Sequence, residues 1–457
     1  MANQLNKQSI ADLCAALQEA RDRTLELIAD LSDEQMIGPR LNIVNPLRWE
    51  IGHVGWFQEY WILRHFRGRT PTNAEGDRLY NSARIPHDTR WDLPLPSKAE
   101  VVDYIQEILG SVKRLAFSSG PAEKINGYDE SYFLRLALSH EYMHAEAITY
   151  TRQTLGYSRP KLSIVGKEND GSQRAQARSI EEKRAGRPVD LLPDAQIPGG
   201  IFLLGSTPGT TFVFDNEQWA HEVNVKPFRI ARRAVTQAQF AAFVEDGGYT
   251  RRDFWIADGW RWRESTQAEH PVYWRKESSG GWSRRDFDAW VPLEARRPVL
   301  HVNWYEADAY CRWAGRRLPT EAEWEMAASA EPALRGGVTS RKRLFPWGDE
   351  LPTSDRANLD WRAMSCVEAD ALPAGDSAFG CRQMIGNVWE WSGTDFGPYP
   401  GFSPGPYKEY SAPWFGDHKV LRGGCWATRS GLIRNNYRNF YQPHRRDVWA
   451  GFRTCSL

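Results

Sequence analysis

Two histidines four positions apart, His140 and His144 in the run His140-Glu141-Tyr142-Met143-His144-Ala145-Glu146, carry the spacing with the clearest chemical meaning in this chain. On an α-helix, residues i and i+4 lie one above the other, so both imidazoles can reach a single ion. An open catalytic metal site normally takes three protein ligands and leaves positions for water or substrate, so a third is required elsewhere. His53 meets that need, because it lies in a second apolar segment, Pro46-Leu47-Arg48-Trp49-Glu50-Ile51-Gly52-His53-Val54-Gly55-Trp56-Phe57-Gln58, which Pro46 can start as a helix. A lone histidine is more often a core or surface residue; an i,i+4 pair with a third histidine on another apolar helix points to a metal. His87, beside Pro86, reads as a polar loop residue. Glu146 lies two positions past His144 and so points off the ligand face.

The elements that must position these residues are helices. Apolar residues recur at helical period over 9–31 behind Ser9, over 46–66, from Ser97 to about Leu115, and from Glu130 to about Leu155. Four such helices predict an antiparallel bundle over 1–157, whose core is a usual place for ligands from facing helices. The long loop between the second and third helices mixes aromatic and charged residues (Leu79 to Asp92) and is a candidate functional loop.

At 457 residues the chain is too long for one core. Lysine plus arginine and aspartate plus glutamate both number 58, so no polybasic face is implied and nucleic acid or an anionic membrane is not an expected partner. The six cysteines show no metal-binding spacing, no signal segment opens the chain, and no apolar run reaches the length of a bilayer span; a cytoplasmic protein is expected. The 21 tryptophans, concentrated around His53 and in the second half, suggest aromatic-lined pockets as well as core. Residues 158–195 shift to charged and small residues and read as a linker. From 196 to 457, short strand-like runs, many glycines and prolines, and a few helices (Thr236 to Asp246, Trp304 to Ala314, Thr320 to Ala328) predict an irregular α+β domain; Thr320 with Glu323 forms a capping box. There is no internal repeat and no phosphate-binding glycine loop.

Several strings in this second half resemble the formylglycine-generating-enzyme (sulfatase-modifying factor) fold, a C-type-lectin-like fold: Pro198-Gly199-Gly200-Ile201-Phe202-Leu203-Leu204-Gly205-Ser206, Arg317-Leu318-Pro319-Thr320-Glu321-Ala322-Glu323-Trp324-Glu325, Phe345-Pro346-Trp347-Gly348, Gly386-Asn387-Val388-Trp389-Glu390-Trp391, Leu421-Arg422-Gly423-Gly424-Cys425-Trp426 and Ala450-Gly451-Phe452-Arg453. The positions matching the working cysteine pair of those enzymes are Thr428 and Ile433, so that activity is not expected. The first half resembles the DinB-like four-helix bundle, and a DinB-like bundle with this histidine pattern fused to such a domain resembles the ergothioneine-type sulfoxide synthases. That resemblance implies a non-haem Fe(II) held by His53, His140 and His144, with O2 and hercynine (trimethylated histidine) as substrates. Asn439, Phe440, Tyr441 and Arg445, in the segment Tyr437 to Arg446, match the family's substrate-contact segment, and a quaternary ammonium is well held by aromatic faces.

Within the family, the enzymes that use γ-glutamylcysteine have Asp where this chain has Tyr441 and Gln where it has Met143. The cysteine-using enzymes carry a tyrosine pair after Asn-Ser, where this chain has Ala83-Arg84. The loop containing Tyr80-Asn81-Ser82-Ala83-Arg84 and Arg90-Trp91-Asp92 resembles instead the selenoneine synthases, which join a selenosugar to hercynine; Arg84, His87, Asp88, Arg90 and Trp91 could bind such a donor. Tyr399 or Tyr80 is the candidate proton donor. A thiol donor such as cysteine is the alternative, and a zinc-dependent thiol transferase or a lectin-like binding module are the readings outside this class.

Overall fold

The computed structural model describes residues 8–118, 124–163, 193–210 and 212–457, without the side chains of 117 and 118. The chain divides into two compact units, one over Asn3–Ser163 and one containing Ile164–Leu457. Most of the expected linker, residues 164–192, lies outside the described residues.

The first unit is a four-helix bundle: Ile10–Ile28, Leu47–Gln58, Lys98–Ser118 and Glu130–Leu155. Their ends follow local chemistry. Ser9 and Asp12 exchange hydrogen bonds in a capping box, Ser97 and Glu100 do the same, and Asp129 accepts from the Tyr132 amide. Gly156, left-handed at φ 67°, ends the last helix and lets its own amide bond back to Arg152 and Gln153 carbonyls. The first and second helices each pack on both the third and the fourth, burying Leu13, Leu17, Ile51, Ile105, Ile108, Phe133 and Ile148. The second helix departs from the expected single α-helix over 46–66, because after Gln58 it widens into a π-helical stretch, Glu59–Phe66. An apolar pattern reports the buried face but not a turn widened by one residue.

Gly52 is where the second helix meets the loop that follows it. A Cβ there would lie 2.2 Å from Cε1 of Tyr80, so the ring of this buried tyrosine occupies the space that any side chain would need.

In the second unit, a four-stranded sheet runs in the order Asn439–Tyr441, Lys419–Arg422, Trp389–Asp395, Ala450–Gly451, with the last pair parallel. A second sheet joins Ala195–Ile197, Phe228–Ile230, Cys455–Ser456 and Arg316–Arg317. The expected helices form as Gln237–Glu245, Trp304–Trp313 and Glu321–Ser329, each begun by a capping box. A further helix, Ala257–Thr266, was not foreseen; it buries only Gly259 and so has no apolar stripe to signal it.

The strings that carry the fold resemblance meet as a buried polar skeleton. Arg422 pairs with Glu321 (2.9 Å) and Glu325, Arg438 with Glu321 (2.7 Å), and Arg453 with Glu390 (2.6 Å), which also accepts from the Trp324 indole (2.8 Å). Lys342 completes the set on Glu325 at 2.5 Å. Charges removed from water are tolerable only when paired this completely. All six cysteines are buried free thiols, and no helix among the described residues is long and apolar enough to cross a membrane.

Two stability outcomes follow. Gly52→Ala should cost about 1–3 kcal/mol through collision with Tyr80, and Glu325→Ala about 3–5 kcal/mol by leaving buried Arg422 with one of its two carboxylates and Lys342 with none; chemical denaturation of each variant measures both.

Candidate metal centre

His53, His140 and His144 converge, and each can offer a ring nitrogen within 4.8 Å of the others. Nε2 of His140 lies 3.2 Å from Nε2 of His53 and 3.0 Å from Nε2 of His144. Two nitrogens bonded at about 2.1 Å and roughly right angles to one ion would be about 3.0 Å apart, so these two separations suit neighbouring positions on an octahedral ion.

The outer nitrogens fix which tautomers are present. Nδ1 of His53 faces the Tyr80 carbonyl at 2.8 Å, and a carbonyl can only accept, so Nδ1 carries the proton. Nδ1 of His144 faces Oε1 of Glu50 at 2.5 Å, with the same consequence. Both rings therefore turn a lone pair towards Nε2 of His140, and that atom cannot donate to both at once. Protonation offers no easy relief: burial, then the neighbouring His144, lowers His53 to about 3, and burial drives His140 well below its ordinary value. The donor set fits a divalent transition metal.

The rings are wedged by aromatic neighbours. His53 stacks on Trp49 at 4.8 Å and 8°, with Trp56 on it at 5.8 Å; His140 stacks on Phe57 at 3.6 Å and 4°. Trp49 is tied by its indole N–H to the Leu79 carbonyl at 2.7 Å, and the Arg90 guanidinium sits 3.9 Å from its ring centroid. Arg90 also donates to Oδ1 of Asn45 at 2.6 Å, and Asn45 donates to Oε2 of Glu50 at 2.6 Å. Burial lowers Arg90 to about 10 and raises the Tyr80 phenol to about 12.

The other candidates are placed as follows. Tyr80 is buried and presents its carbonyl to His53. Arg84 is exposed, Met143 is partly exposed, and His87 bonds through Nε2 to the Val44 carbonyl at 2.9 Å, outside the triad. In the second unit, Asn439, Phe440 and Tyr441 form an edge strand and are all partly exposed. Phe440 stacks on Phe396 at 3.9 Å and 10°. Arg445 is engaged by Asp447 through two bonds, 2.7 and 2.6 Å, and lies over Tyr441 at 5.1 Å. Tyr399 is buried, with its hydroxyl 3.2 Å from Glu321 and the Arg438 guanidinium 4.0 Å from its ring centroid; burial raises its phenol well above the usual value.

Residues 184–456 match the sulfatase-modifying factor enzyme 1-like domain, and residues 16–148 match the DinB superfamily. A hercynine oxygenase of Mycolicibacterium thermoresistibile is 35% identical over 451 residues, covering 97% of this chain and 94% of the relative. One of Mycobacterium tuberculosis is 37% identical over 447 residues, covering 96% and 97%. The chain belongs to the hercynine oxygenase family. A formylglycine-generating enzyme of Streptomyces coelicolor is 32% identical over 294 residues, covering 58% of this chain and 87% of that enzyme. Thr428 and Ile433, the positions expected to match the cysteine pair of the formylglycine-generating enzymes, both lie beside Gly424 and are buried.

The family's histidine helix here also fits the His-Glu-x-x-His pattern of metalloproteases, in which the glutamate serves as base. Glu141 has no such freedom: it pairs with Arg21 at 2.8 Å, both fully buried, and accepts from Thr24 and Gln58. Sequence reasoning missed Glu141, Glu50 and Asn45. Glu50 was open to discovery, since it precedes His53 by one helical turn, but its partner His144 is 94 positions away.

Substituting any one ligand (His53→Ala, His140→Ala or His144→Ala) should reduce bound transition metal from near one equivalent to a small fraction, as read by elemental analysis after reconstitution and desalting.

Proposed function

We propose that this protein is an iron(II)- and O2-dependent oxygenase that acts on hercynine and joins the imidazole carbon between the two ring nitrogens to a chalcogen donor. The relationship to hercynine oxygenases over nearly the whole chain carries the reading, and the three convergent imidazoles support it. With a thiol as donor the balance is hercynine plus thiol plus O2 giving the sulfoxide plus water: one C–H and one S–H bond are lost and a C–S and an S–O bond gained. Iron held by three neutral imidazoles would supply O2 activation while leaving positions for both substrates. The protein's own residues exclude water around His53 and His140, hold two ligand tautomers, and in the second unit offer Asn439, Phe440 and Tyr441 to the trimethylammonium end.

A thiol donor, as in the ergothioneine-type sulfoxide synthases, is the reading the relatives favour. A selenosugar donor, as in selenoneine synthase, is favoured by Ala83-Arg84, Met143 and Tyr441, which replace the residues matching the thiol-using branches, and by the exposure of Arg84. Arg90, committed to Asn45 and Trp49, is better suited to bracing the centre than to holding a donor.

Anaerobic reconstitution with Fe(II), then O2 and hercynine with cysteine, γ-glutamylcysteine or a selenosugar in parallel, decides by mass spectrometry. Product from a thiol establishes the sulfoxide synthase, and a seleno-product formed at least tenfold faster establishes the selenium branch. No product with any donor, with zinc co-purifying, overturns the proposal in favour of a zinc-dependent transferase. Tyr80→Phe and Tyr399→Phe report on proton delivery, since a phenol that supplies a proton is required for kcat whereas one that only packs is not.

A further inference from the structure

The triad is supported unequally. His53 and His140 are clamped by Trp49, Trp56 and Phe57, whereas the rings against His144 are those of its two fellow ligands. His144 is also the most exposed of the three, at 18% for its side chain. What holds its ring is Glu50, whose side chain is 5% exposed. Oε1 of Glu50 accepts from His144 Nδ1 at 2.5 Å, and Oε2 accepts from the Asn45 amide at 2.6 Å. The Asn45 amide is used at both ends, its Oδ1 accepting from Arg90 at 2.6 Å. Its orientation is therefore dictated, with the acceptor towards the guanidinium and the donor towards the carboxylate.

We propose that Glu50 is a positioning residue of the metal centre: held by Asn45 and Arg90, it orients His144, keeps its Nε2 free to bind, and places a buried negative charge one hydrogen bond from that ligand, across the ring from the ion. Arg90 then braces two ligands by separate routes. It reaches His144 through Asn45 and Glu50, and it reaches His53 through Trp49, whose ring it covers and which stacks on that imidazole. The charge matters as well as the geometry. A divalent ion on three neutral imidazoles is a buried double positive charge, and a carboxylate behind one ligand offsets part of it while making that ligand more basic. This inference rests on the reading of the triad as a metal site, and it is independent of which chalcogen donor the protein uses.

The test is Co(II) binding to the full-length metal-free protein under anaerobic conditions, by competition with a chromophoric chelator, together with the visible absorption of the bound Co(II). Glu50→Gln keeps the shape and removes the charge; its affinity should fall about 10- to 100-fold, its Co(II) bands should shift, and the metal-free protein should melt within a few degrees of wild type. Asn45→Ala should weaken binding by a smaller factor, about 3- to 10-fold, and decides the matter if Glu50→Gln does not fold. Wild-type affinity and an unchanged spectrum in the folded variant overturn the positioning role while leaving the metal centre standing. Failure of the wild-type protein to take up Co(II) overturns the metal centre itself, and this role with it.

Discussion

The bundle is built around a local repulsion. Three imidazole nitrogens meet at 3.0 and 3.2 Å, two of them necessarily as lone pairs because their rings give the other proton to a carbonyl and a carboxylate. Water could screen this at a surface, and protonation could cure it in a polar site. Here Phe57 and Trp49 lie flat against two of the rings, and burial holds His53 and His140 neutral far below the pH at which a histidine ordinarily protonates. A bound cation would satisfy these nitrogens together, since His140 can donate to only one of its two neighbours at a time.

That constraint explains the course of the loop between the second and third helices. Leu79 anchors Trp49, Tyr80 supplies its carbonyl to His53 and its ring to the gap at Gly52, Asp77 accepts from the Trp56 indole at 2.7 Å, and Arg90 returns to Asn45. Each contact ends on a ligand, on a residue that touches a ligand, or on one bonded to such a residue. The loop lacks regular structure over much of its length because its backbone and side chains are spent on the centre instead of on a ladder of their own. Arg84 takes no part in these contacts and is exposed.

The sequence made the ligands legible because their geometry is local: four positions on a helix, and a histidine within a second apolar helix started near Pro46. Helix ends were legible for the same reason, since Ser9, Ser97, Thr320 and Gly156 act on neighbours three or four residues away. The supports of the site were not, because they pair across the fold: Glu50 with His144, Tyr80 with His53, Arg21 with Glu141, 120 positions apart. At Tyr80 the phenol suggests proton chemistry, and the backbone carbonyl adds a contact with His53 that residue type does not announce. At Arg90 a charged loop residue suggests a donor contact, and its pairing with an amide and an indole ring is set by residues distant in sequence.

The second unit shows why a fold signature is a poor guide to chemistry. The residues that make it recognisable, Glu321, Trp324, Glu325, Glu390, Arg422 and Arg453, are bound to one another in the core, where the cost of separating any charge from its partner keeps the set together. None of that depends on the reaction performed. Thr428 and Ile433 are buried beside Gly424, outside those ion pairs. The edge strand Asn439–Tyr441 lies outside that skeleton and presents partly exposed aromatic side chains.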